Sequence, residues 1–122
     1  MPQLDWAIDI IPYGTEAAFR PKLVPPAKPG DPLNAQVADI VTWGNRTTEV
    51  HQPWPTVDNS PTGPPVPPPE KGNPEGYLCD PIPPNDSSRP LFVVPDQAVG
   101  SVINYCCRNH PTERGQIKIV TL

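Results

Sequence analysis

Hydrophobic and polar positions alternate near the start of the chain, where Trp6, Ile8 and Ile10 are interleaved with Ala7, Asp9 and Ile11. A period of two places alternate side chains on opposite faces of a β-strand. Pro12-Tyr13-Gly14-Thr15 then supplies a turn. The next run, Phe19 to Val24, is interrupted by Pro21 and predicts an edge strand or an irregular segment, because proline cannot donate to a ladder. After a loop over 25–32, Ala35 to Trp43 predicts a further strand with Val37, Ile40, Val41 and Trp43 in the core. Leu91 to Val94, Ser101 to Cys107 and Gln116 to Leu122 predict three more. Prolines interrupt most stretches long enough for an amphipathic helix. The expected class is all-β, a Greek-key antiparallel β-sandwich, since a parallel sheet would need crossover helices.

Composition adds one complication. The 122 residues suit a single domain over 1–122, but 22 of them are proline, and 13 of those lie between Pro53 and Pro90. That stretch is expected to be a long loop insertion, with Pro64-Pro65-Val66-Pro67-Pro68-Pro69 in polyproline II, lying over the sandwich. A PxxP ligand for another domain is the competing reading. The net charge of −4 and the lack of a Lys/Arg cluster argue against a nucleic-acid partner. No apolar run is long enough for a membrane span. The N-terminus has no basic start followed by an apolar stretch, so the chain is expected to be cytoplasmic or to take its export signal from outside this sequence.

The chemistry concentrates in Tyr105-Cys106-Cys107-Arg108-Asn109-His110-Pro111-Thr112-Glu113-Arg114-Gly115, ahead of the alternating strand Gln116 to Val120. A Cys and a His three positions apart at a strand end can turn both side chains toward one point. His51 is the other of the chain's two histidines and the natural third ligand. Two imidazoles and a thiolate suit copper in an electron-transfer site, with tetrahedral zinc as the chemical rival.

Val41-Thr42-Trp43-Gly44-Asn45-Arg46, followed by His51, resembles the cupredoxin strand that leads to the first copper histidine. Cys107, His110, Pro111, Glu113 and Gly115 resemble the short ligand loop of amicyanin-like and plastocyanin-like cupredoxins, written C-x-x-H-P-x-M-x-G. The resemblance implies a cupredoxin-like sandwich with His51, Cys107 and His110 as equatorial ligands of one copper ion. It departs at Glu113, which stands where the family places a weak axial methionine. A carboxylate is harder and favours Cu(II). A nitrosocyanin-like carboxylate ligand is one reading of Glu113, and a solvated residue paired with Arg114 or Arg46 is the other. Gln52 replaces the asparagine that many family members carry after the histidine. Glu49, on the same strand side as His51, is a further carboxylate candidate.

With Cys107 given to the metal, Cys106 points to the opposite face and is available to pair with Cys79. Such a bridge would close a loop of about 27 residues, worth about 3 to 4 kcal/mol, and would imply a periplasmic or extracellular setting. The sequons at Asn45 and Asn85 carry no weight. The expected function is a mononuclear copper one-electron carrier, an electron-transfer protein before an enzyme, whose redox protein partners dock near His110. A copper site with an open position that binds or turns over a small oxidant is the first alternative. A binding module built on the Pro-rich segment is the second. Neither a Ser/His pair nor paired carboxylates suggest hydrolysis.

Overall fold

A computed structural model describes residues 3–121. The alternating N-terminal segment forms β1 (Asp5–Tyr13), which turns through Gly14 at φ 64° into β2 (Glu16–Pro21). The left-handed glycine permits this two-residue hairpin loop. The remaining strands are β3 (Leu33–Ala35), β4 (Ile40–Asn45), β5 (Pro53–Pro55), β6 (Phe92–Val93), β7 (Val102–Cys107) and β8 (His110–Ile119). They form two four-stranded sheets, ordered β2-β1-β4-β6 and β3-β8-β7-β5.

The expected sandwich is present, and its sheets are mixed, because β1 runs parallel to β4 and β3 runs parallel to β8. No helical crossover is needed, since each parallel partner is reached by passing to the other sheet. Pro21 ends β2, which is an edge strand as its proline requires.

The strand expected over Ala35 to Trp43 is broken. Asp39 is buried and accepts hydrogen bonds from the Trp6 indole (2.8 Å), the Gln36 amide (2.9 Å) and the Leu4 amide (3.0 Å). The resulting turn holds Ala38 at φ 75° and leaves Val37 outside the core, 37% exposed. Val37 is therefore not the core residue that its hydropathy suggested. A side-chain turn outcompeted the ladder.

Ile8, Ile10, Phe19, Val41 and Trp43 from one sheet meet Leu33, Ala35, Tyr105, Ile117 and Ile119 from the other. At the centre, the Trp43 indole donates to the Tyr105 hydroxyl at 3.2 Å, and the Tyr105 ring meets Phe19 and Trp43 edge-on at 4.9 and 5.5 Å. Gly115 is opposite Tyr105 in the β7–β8 ladder, and a Cβ there would overlap the phenol ring.

The Pro-rich stretch does more than cover this core. Leu78, Cys79 and Ile82 are fully buried within it. The polyproline segment is docked on β5 by the Val66 amide to the Pro55 carbonyl and by the Trp54 indole to the Val66 carbonyl, at 2.9 and 2.7 Å.

Two outcomes test this packing. Gly115→Ala should lower stability by about 1 to 3 kcal/mol in denaturant unfolding, the usual cost of overpacking. The second concerns Asp39, whose carboxyl burial pushes up but the Trp6, Gln36 and Leu4 hydrogen bonds hold below its ordinary 3.8. A depressed folded value contributes stability above the unfolded value that is lost as pH falls through the folded one. Asp39→Asn should therefore melt below wild type at pH 7, and the gap should narrow below about pH 4.

Candidate metal centre

Local irregularity brings the donors together. Cys106 pairs with Arg114, but the next residue, Cys107, pairs with His110, so Pro111, Thr112 and Glu113 are extra on the β8 side. This bulge places Cys107 and His110 across the tight turn at Arg108-Asn109 and buries Glu113. His51 comes from the loop after β4 and is fixed by paired backbone hydrogen bonds with Ile82, 3.2 and 2.8 Å long. The Asn45 side chain secures that loop by donating to the carbonyls of Glu49 (2.7 Å) and Ile82 (2.9 Å). The sequence motif contained Asn45, but only the fold shows what it ties.

The ligand atoms of His51, Cys107, His110 and Glu113 all lie within 4.8 Å of one another. Cys107 Sγ is 3.5 Å from His51 Nδ1 and 3.7 Å from His110 Nδ1. Glu113 Oε1 is 3.2 Å from His51 Nδ1 and 3.9 Å from His110 Nδ1. Metal–nitrogen and metal–sulfur bonds of about 2.0 and 2.3 Å at a tetrahedral angle separate N and S by about 3.5 Å. The sulfur–nitrogen separations are therefore of the size that a shared metal ion would require.

Glu113 Oε1 supplies a second indication. Among the buried side-chain oxygens and nitrogens of the described residues, it is the one without a well-formed hydrogen bond, its nearest polar neighbour being His51 Nδ1. Such an oxygen is costly unless a cation satisfies it. The residues offered as its alternative partners are engaged elsewhere, Arg46 with Asp9 at 3.5 Å and Arg114 with the Gly63 and Thr62 carbonyls. Glu49 approaches the other nitrogen of His110, with 3.6 Å to Nε2, and so lies behind the imidazole instead of among the donors.

Burial sets the protonation states. Desolvation lowers the His51 pKa, with Glu113 opposing, so this imidazole is neutral at pH 7. Desolvation raises the Cys107 thiol, although the backbone N–H groups of Gln52, Asn109 and His110 face the sulfur and pull the other way. Gln52 thus faces the Cys107 sulfur through its backbone, while its side chain donates to the Cys79 carbonyl at 3.0 Å.

The Cys79–Cys106 bridge is not formed, and all three cysteines are free. Strand alternation explains this. Cys79 lies in the central cluster with Tyr105 and Cys107, whereas Cys106 points to the outer face beside its cross-strand partner Trp54. Arg108 caps that face, 4.5 Å over the Trp54 ring.

Two solved amicyanin structures are similar to the whole chain. One is the reduced Cu(I) form at pH 4 of a proline-to-glycine variant, 20% identical with a TM-score of 0.53 over 98% of this chain and 85% of that one. The other is a methionine-to-alanine variant with Cu(I), 20% identical with a TM-score of 0.51 over 93% and 81%. No family model and no curated protein matches the sequence. At this identity the likeness establishes the fold, a cupredoxin-like β-sandwich.

Because burial raises the Cys107 thiol above its ordinary value, metal uptake through its sulfur should release a proton, and Cys107→Ser should release fewer protons per ion than wild type. Titration in weakly buffered solution measures this.

Proposed function

We propose that this protein is a mononuclear copper protein that carries one electron at a time. His51, Cys107 and His110 are its principal ligands and Glu113 the fourth. The observation that carries this reading is the convergence of two imidazole nitrogens, a thiol and a partnerless carboxylate oxygen on one buried point. The copper sites of the amicyanin structures with the same fold support the metal's identity, as does the His₂Cys donor set. When bound, copper supplies the one-electron redox chemistry.

The chain's own residues do the rest. Strands β7 and β8 and the His51–Ile82 backbone pairing hold the donors, so a change of oxidation state moves few atoms. His51 is buried, but the His110 side chain is 37% exposed, which makes its outer edge the route for electrons to a partner. Its chain neighbours Asn109, Pro111 and Thr112 are exposed and form the docking surface. No helix among the described residues is long and apolar enough to cross a membrane.

One observation favours a second reading. A surface cleft of about 220 Å³ between the β1–β2 turn and the 46–49 loop reaches His51, His110 and Glu113. A small oxidant entering there would make the copper site a binding or catalytic centre.

Copper titration separates these functions. One equivalent of Cu(II) should produce an intense visible thiolate-to-copper band that is absent in Cys107→Ser. Glu113→Met should shift the band toward that of a blue site and raise the potential. Failure to bind copper stoichiometrically would overturn the assignment. A closed carrier should show no spectral change with azide, whereas an open site should.

A further inference from the structure

The Glu113 carboxylate uses its two oxygens differently. Oε1 faces the two histidine nitrogens and has no hydrogen-bond partner, while Oε2 accepts the Ala17 backbone N–H at 2.8 Å in a buried contact. Ala17 lies in β2, the edge strand of its sheet. An edge-strand amide pointing away from its neighbour has no ladder partner, and Glu113 fills that place. The preceding residue makes a second tie, with Thr112 Oγ1 donating to Glu16 Oε1 at 2.8 Å. The β1–β2 hairpin thus grips β8 at two consecutive positions, reaching across the sandwich to the bulge that carries the fourth ligand.

We infer that Ala17 is a positioning residue for the metal centre, its N–H holding Glu113 so that the carboxylate meets the metal through Oε1 alone. The inference rests on Glu113 being a ligand. Two consequences follow from the hydrogen bond. It occupies Oε2, which prevents bidentate coordination. It also draws negative charge from the carboxylate, so Glu113 favours Cu(II) over Cu(I) less strongly than an unrestrained glutamate would. The hairpin therefore offsets part of the potential drop that replacing methionine by glutamate brings, and this lets a carboxylate serve in a carrier that must cycle between both states.

The test removes the N–H while keeping the side chain, by semisynthetic exchange of Ala17 for lactic acid, with Ala17→Pro as the genetically encoded counterpart. With copper bound, the preference for Cu(II) over Cu(I) should rise about tenfold, a potential lower by about 59 mV for one electron, and the Cu(II) EPR spectrum should change. Ala17 amide exchange in the Zn(II)-loaded chain gives a reading that leaves the hairpin intact. It should be slow in wild type and at least about tenfold faster in Glu113→Ala. An unchanged potential and spectrum in the ester variant, with Glu113→Gln shifting both, would overturn the positioning role alone. If Glu113→Gln shifts neither, Glu113 is not a ligand and both readings fall. Equal Ala17 exchange in wild type and Glu113→Ala would also overturn it, even if neither hairpin variant folds.

Discussion

The three extra residues that β8 carries between its pairing with Cys107 and its pairing with Cys106 are the constraint around which the rest is arranged. A regular ladder would set Glu113 opposite Cys107. The bulge instead gives that place to His110 and lets Glu113 reach the His51 side of the site. His51, Cys107 and Glu113 are thereby desolvated together, with His110 on their solvent side. Glu113 Oε1 is a buried acceptor whose nearest polar neighbours are imidazole nitrogens, and burying such a group with poor hydrogen bonding costs about 1 to 3 kcal/mol. The sandwich has to supply that cost from its packing.

The packing that supplies it is linked to the site through the same two strands. Tyr105 precedes Cys107 by two positions on β7, and Gly115 follows Glu113 by two on β8. The absence of a side chain at Gly115 lets the Tyr105 ring lie across β8 and reach Trp43 and Phe19. The aromatic cluster thus fixes β7 against β8 a few ångströms from the donors. From the other sheet the β1–β2 hairpin grips the bulge directly. Glu113 is held from both layers, whereas His51 depends on the loop after β4.

That dependence gives the Pro-rich stretch a structural purpose. Its Ile82 backbone pairs with His51, its Cys79 carbonyl receives Gln52, and Asn45 joins the ligand loop to the Ile82 carbonyl. Prolines restrict the unfolded chain, so a segment without regular ladders loses less entropy when it is ordered. A disulfide to Cys106 would have tied this segment to the outer face. Burial of Leu78, Cys79 and Ile82 ties it to the inner one.

The all-β class and most strands were legible in the amino-acid order, and the same order singled out His51, Cys107, His110 and Glu113, which the fold brings within 4.8 Å of one another. Strand alternation and ligand spacing are local properties, and the resemblance to the cupredoxin ligand loop is carried by consecutive residues. The misplacement of Val37 and the Cys79–Cys106 pairing have a common origin. Each depended on which face or partner a residue finds, and these are decided by the Asp39 turn and by the inward direction of Cys79. The parallel pairing of β1 with β4, the bulge before Arg114 and the Ala17 grip on Glu113 involve residues up to 96 positions apart. Sequence by itself determined which atoms were available to hold a metal. Tertiary structure decided that they meet at one buried point with an oxygen left unpaired, because convergence and desolvation are properties of packed strands and not of their order along the chain.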